Sequence, residues 1–70
     1  MKVYLRHVKT KLFYSGWASW TGEVQRAVNF ERPQDAIQRA RSDMLSHMEV
    51  VIHDGDPVRE RVVPVVERGA

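Results

Sequence analysis

Three histidines and a pair of aspartates are the side chains of this sequence best suited to chemistry: His7, His47, His53, Asp54 and Asp56. Imidazole nitrogen and carboxylate oxygen are ligands for zinc and other divalent ions. Their spacing argues against a metal site. His53-Asp54-x-Asp56 runs into the turn Asp54-Gly55-Asp56-Pro57, where aspartate commonly bonds its own backbone. The segment lacks the ligand ladder and terminal glutamate of a calcium loop. His47 projects onto the apolar arc of a predicted helix near its end, where a histidine bonds a free carbonyl or sits half-buried. No metal and no cofactor are expected.

Nucleophilic catalysis has less material. The chain has no cysteine. Ser15-Gly16 lacks the Gly-x-Ser-x-Gly elbow that exposes a serine. There is no glycine-rich phosphate loop and no Gly-x-x-x-x-Gly-Lys. An acid and a base must also converge in a pocket, and a 70-residue chain with one helix offers little concavity. The sequence reads as a non-enzyme.

The aromatic cluster Phe13, Tyr14, Trp17 and Trp20 is flanked by Lys9, Lys11 and Arg26. Aromatic rings beside basic side chains on a sheet can stack unpaired bases. The same rings fill small cores and self-association interfaces. Net charge is +2, a weak electrostatic basis for binding phosphates. Its distribution is uneven. Residues 1–41 carry eight Lys/Arg against three acids, and residues 42–70 carry three against six. That asymmetry can form a basic face, or pair one half of the chain with the other, or pair two copies.

These residues need elements to place them. Val3, Leu5 and His7 alternate with Tyr4, Arg6 and Val8, so residues 2–8 read as a strand. A second strand starts at Leu12-Phe13-Tyr14, with Gly16 marking a bulge or bend. Thr21-Gly22-Glu23 is a turn, and the alternation of Val24, Arg26 and Val28 predicts a third strand. Connections this short make the three strands an antiparallel meander. Pro33 suits a first helical turn, and residues 33–47 read as a helix. Its apolar arc carries Ala36, Ile37, Ala40, Met44 and Met48, opposite Asp35, Arg39, Ser42, Asp43 and Ser46. Residues 49–53 are apolar on both faces, with Val50 and Ile52 on one and Val51 on the other, as in an interior strand. Residues 58–66 can return as a further strand. Pro64 cannot donate to a ladder, so this strand lies at an edge or ends near Val63.

The fold expected is α+β: an antiparallel β-β-β-α-β(-β) sheet with one helix on one face. The expected core is Val3, Leu5, Phe13, Val28, Phe30, Ile37, Ala40, Met44, Val50 and Ile52. Residues 1–66 form a single domain, and residues 67–70 a frayed tail. With 43% hydrophobic and 29% charged residues the composition is that of a folded globule. No apolar run approaches the ~20 residues that cross a bilayer, and the N-terminal segment lacks a signal-peptide core. A cytoplasmic location is expected.

Three short motifs carry a resemblance: Arg26-Ala27-x-x-Phe30, Ala36-Ile37-x-x-Ala40-Arg41 and Val51-Ile52-His53. Together they resemble a group of small uncharacterised bacterial proteins. In that group a Trp-bearing antiparallel hairpin leads into an Ala-Ile-x-x-Ala-Arg helix and a Val-Ile-His strand followed by a glycine turn. The resemblance spans residues 12–62. It departs at Trp17-Ala18-Ser19-Trp20, where the second Trp is extra, and at the apolar stretch 62–66. It implies the same fold and no activity. A weaker likeness is to the Arm-type DNA-binding domains of tyrosine integrases, which place three strands before one helix but do not need the strand at 49–53.

One helix covers only one face of such a sheet, so apolar surface is expected at Trp17, Trp20, Val51, Val62 and Val63. Exposed apolar surface of that kind marks a contact site. The leading expectation is a protein-interaction or self-association module, a homodimer or the binder of a protein partner. The alternative is a nucleic-acid binder using Lys9, Lys11, Arg26, Trp17 and Trp20. No membrane partner is expected.

Overall fold

The computed structural model describes residues 1–16, 19–55 and 59–65. The expectations for Trp17, Asp56, Pro57, Val58 and residues 66–70 lie outside them.

Alternation sets the first strand, β1 (Lys2–His7). Val3 and Leu5 are fully buried on one face, with Tyr4 and Arg6 on the other. β1 is the middle strand of a five-stranded antiparallel sheet with β2 (Phe13–Gly16), β3 (Ser19–Thr21), β4 (Met48–Asp54) and β5 (Arg59–Pro64). The strand order is β3-β2-β1-β4-β5. The single helix, α1 (Pro33–Ser42), packs across β1 and β4. The fold is therefore the α+β arrangement expected, with β4 interior and β5 at the edge.

The third strand is not where the alternation of Val24, Arg26 and Val28 put it. Val24–Arg26 is a single 3₁₀ turn, and Ser19–Thr21 forms β3. The cause lies in β2. The register shifts between Tyr14 and Gly16, and Gly16 takes φ +97°, which side-chain-bearing residues resist. The chain therefore reverses early and sets Trp20 opposite Tyr14, with ring centres 5.8 Å apart, edge to face.

Residues 28–30 then bridge β2 and β1. Val28 N–H donates to the Tyr14 carbonyl and Phe30 N–H to the Val3 carbonyl. The Asn29 side-chain oxygen accepts from Val3 N–H at 3.0 Å. These bonds occupy backbone groups of β1 that would otherwise be unpaired, because β1 and β2 meet in register at Arg6 and Phe13.

The helix is shorter than its apolar arc suggests. It ends at Ser42, not near His47. Leu45 N–H donates to the Ala40 carbonyl and Met44 N–H to the Arg41 carbonyl, which is a Schellman stop with Met44 in the left-handed position at φ 55°. Met44, expected in the core, is 89% exposed, and Leu45 packs against the core instead. Met48, expected on the helical arc, opens β4 and is buried opposite His7. Val8 N–H bonds the carbonyl of His47, itself at φ 58° and exposed. Pairing with β1 thus claims residues that the helical period could have taken. A left-handed methionine with no buried side chain is a strained cap. We expect Met44→Gly to raise the unfolding free energy by about 0.5–1 kcal/mol, read from urea denaturation; a lowered midpoint would contradict this account of the helix end.

The core lies between α1 and the sheet: Val3, Leu5, Tyr14, Ala36, Ala40, Met48, Val50 and Ile52, with Trp20, Val28, Phe30, Ile37, Leu45 and Val65 packed against it. Ala36 and Ala40 lack bulk, which lets the helix approach the sheet closely. Phe13 is half-buried on the opposite face, paired with Arg6 rather than with the helix. Among the described residues no helix is long and apolar enough to cross a membrane.

Candidate interaction surface

The histidines do not converge on a ligand. His7 Nδ1 accepts backbone N–H groups from Lys9 at 3.1 Å and Thr10 at 3.3 Å. That fixes the β1–β2 turn, in which Lys11 is left-handed at φ 62°. His7 packs edge-on against Trp20 and His47. His53 lies on the opposite face, its Nε2 3.1 Å from Glu60 Oε1 and its ring against Tyr4. Asp54 pairs with Arg61 at 3.5 Å. Among the described residues no group of three or more His, Cys, Asp or Glu is placed to hold a metal ion. Ser15 sits within β2, which leads into another strand and not into a helix.

The basic and aromatic residues also separate. Trp20 is half-buried against Tyr14 and His7 on the helix side of the sheet. Lys11 Nζ approaches Glu49 Oε2 at 3.9 Å, and Arg26 Nε meets Glu23 Oε2 at 2.8 Å. Lys9 is exposed in the β1–β2 turn. Lys11 and Arg26 each have an acid beside them, and Trp20 faces away from Glu49 and Lys11.

The face without a helix is covered by its own side chains. Arg6 Nε bonds Glu49 Oε2, its guanidinium lies over the Phe13 ring, and its NH1 is 3.9 Å from Glu60 Oε2. Val24 of the 3₁₀ turn lines the same hollow as Tyr4 and His53. Beneath this layer Val51 is fully buried and Tyr4 nearly so. Val51, expected to stay exposed as part of an interaction surface, is therefore not available for contact. The long charged side chains supply the cover that a second helix would give. Part of the charge asymmetry is met here, since Arg6 and Lys11 from the basic half meet Glu49 and Glu60 from the acidic half.

A second hollow, about 390 Å³, lies between α1 and β2 and is lined by Tyr14, Gly16, Val28, Phe30, Arg39 and Asp43. Its polar groups already serve one another. Tyr14 Oη donates to Asp43 Oδ2 at 3.0 Å, and Arg39 lies 3.8 Å from Asp43 Oδ1.

The outer edge of β5 is different. All six of its residues are exposed. Val62 and Val63 each retain 43% of their surface, as the sequence anticipated. The strand pairs with β4 in regular register from Arg59↔Asp54 to Pro64↔Glu49. Val65 N–H donates to the Met48 carbonyl, so by two-residue alternation Val63, Arg61 and Arg59 turn their backbone groups inward. Glu60, Val62 and Pro64 turn theirs outward. Pro64 costs no ladder bond in this place because its nitrogen faces away from β4. No described strand lies on the outer side. The result is an unbulged edge with the N–H and C=O groups of Glu60 and Val62 turned away from β4, toward where a further strand could add.

Comparison of the chain with protein-family models, with curated proteins and with solved structures gave no match.

Proposed function

We propose that this protein is a small non-enzymatic, cytoplasmic interaction module that recruits an extended segment of protein to the outer edge of β5. The observation that carries this reading is the outward ladder of Glu60 and Val62 on an unbulged edge strand, flanked by the half-exposed Val62 and Val63 side chains. Strand addition takes affinity from main-chain hydrogen bonds and specificity from alternate side chains. Such an edge is normally blunted by bulges, short length, covering elements, charged side chains or proline. β5 carries its charges and its proline but keeps the register.

A displayed library of extended peptides tests it. We expect selected peptides to slow amide hydrogen exchange at Glu60 and Val62, and to be lost with Val62→Pro, which deletes an outward N–H and leaves pairing with β4 intact. Failure to enrich any peptide over the Val62→Pro control, in a protein that also does not self-associate, would overturn the reading. The nucleic-acid alternative has its own measurement. Phosphate binding weakens steeply as salt rises, so Trp fluorescence titrated with mixed single- and double-stranded oligonucleotides at low salt would show salt-sensitive quenching. We expect none, because Trp20 packs on the helix side and Lys11 and Arg26 lie beside Glu49 and Glu23.

A further inference from the structure

The geometry points to a second copy of this chain as the occupant of the β5 edge, added antiparallel with the two-fold axis passing through Val62. This inference rests on the strand-addition reading above and names its partner.

Symmetry limits the possibilities. Two copies of one strand can pair antiparallel in a continuous sheet only about an axis perpendicular to that sheet. Such an axis keeps each residue on its own face, so both α1 helices stay on the same side. Opposed residues must then share a face, and the axis must pass through a residue rather than between two. The outward groups decide which residue. An axis through Arg61 would pair Glu60 with Val62 of the second copy and complete the ladder there. It would also set Arg61 directly opposite Arg61 of the second copy, and like charges in that position are destabilising. An axis through Val63 would set Val62 against Pro64 of the second copy, whose nitrogen carries no hydrogen, and half of those bonds would be lost.

An axis through Val62 avoids the like-charge contact and keeps both Val62 bonds, so the proline nitrogen costs only the reverse bond at each Glu60–Pro64 pair. Val62 N–H donates to the carbonyl of Val62 in the second copy, and the reverse bond forms by symmetry. Glu60 N–H donates to the carbonyl of Pro64 in the second copy, which needs nothing from the proline nitrogen. On the open face Val62 meets Val62, a β-branched cross-strand pair. On the helix face Arg61 lies opposite Val63 and Arg59 opposite Val65, so the guanidinium stems cover apolar side chains and their charges reach solvent. Val62 and Val63, the half-exposed apolar residues of β5, both gain partners in this register. Pro64 takes part through its carbonyl alone, and the Glu60 carbonyl opposite its nitrogen is left to solvent.

Light scattering and single-cysteine crosslinking test the arrangement on the full chain. We expect a mass of twice 8.1 kDa at high concentration. The native sequence has no cysteine, so an introduced thiol can pair only with its own copy. Across an antiparallel hydrogen-bonded pair the Cα atoms lie ~5.5 Å apart, inside the disulfide range, so Val62→Cys should oxidise to a dimer at least ~10-fold faster than Arg61→Cys, Val63→Cys or Met44→Cys. Val62→Pro, and as a second variant Val62→Lys, should return the mass to 8.1 kDa with circular dichroism unchanged. A mass of 8.1 kDa at every concentration overturns the second copy; if Val62→Pro-sensitive peptides are still selected, the strand-addition reading survives that failure. A dimer in which Arg61→Cys links fastest overturns the register. A dimer in which Met44→Cys links fastest overturns the β5 edge as its interface.

Discussion

Leu5→Ala is expected to leave the chain largely unfolded at room temperature. Among the described residues Leu5 is the largest fully buried side chain. It lies at the centre of the sheet, opposite Val50 and in the core beneath α1. Leu-to-Ala changes in cores cost about 3–5 kcal/mol when the surroundings cannot collapse into the space. Here they have little freedom to do so. The helix already approaches closely through Ala36 and Ala40, and the strands on either side hold Leu5 in register. A single core in a chain of this length supplies only ~3–5 kcal/mol net, so the loss is comparable with the whole stability. The measurement is urea or thermal denaturation followed by circular dichroism. Leu12→Ala serves as control, because Leu12 is 37% exposed. A Leu5→Ala protein with a midpoint near that of the native chain would show that the sheet–helix interface is not where the stability lies.

Glu49→Ala is expected to cost about 2 kcal/mol, well beyond what an exposed charge contributes. The Glu49 and Arg6 side chains retain only 10% and 16% of their exposure. Removing the carboxylate strands a half-dry guanidinium over Phe13 and uncovers Val51. The penalty stays below that of a fully buried pair because Glu60 remains 3.9 Å from Arg6. A double-mutant cycle with Arg6→Ala isolates the pair, and a coupling of about 1–2 kcal/mol is expected. The Glu23–Arg26 pair is the comparison. Its side chains keep 58% and 76% exposure, so Glu23→Ala should fall within about 0.5 kcal/mol of the native chain. Equal effects of Glu49→Ala and Glu23→Ala would refute the view that charged side chains roof the open face.

The candidate site is partly legible in the sequence. Pro64 announced an edge strand, because a missing N–H is tolerated only where no ladder bond is required, and Val62 and Val63 were expected at the surface. What the alternation could not supply is direction. The Val65–Met48 bond shows that the even-numbered residues of β5 face outward. Val51 illustrates the opposite failure. Its place on the face away from the helix was read correctly, and exposure was the natural expectation, yet Arg6, Glu49, His53 and Glu60 share that face. Side chains that meet across 43 residues of sequence, as Arg6 and Glu49 do, leave no local trace.

The sequence by itself determined the parts whose causes are local. Two-residue alternation made β1, apolar residues on both faces made β4 an interior strand, Pro33 started the helix, and Gly16 bent β2. The absence of cysteine excludes disulfides and thiolate chemistry from the chain itself. Tertiary structure decided wherever two local preferences competed for the same residues. Met48 suited both a helical arc and a strand, and pairing with His7 awarded it to β4 and stopped the helix at Ser42. Residues 24–28 alternated like a strand, but the aromatic pair Tyr14–Trp20 had already taken the place beside β2. Asn29 reaches across 26 residues to Val3. For Met48 and Asn29 the deciding partner lies more than 25 residues away, which no window of neighbouring residues contains, whereas Trp20 competes from only six residues beyond Tyr14.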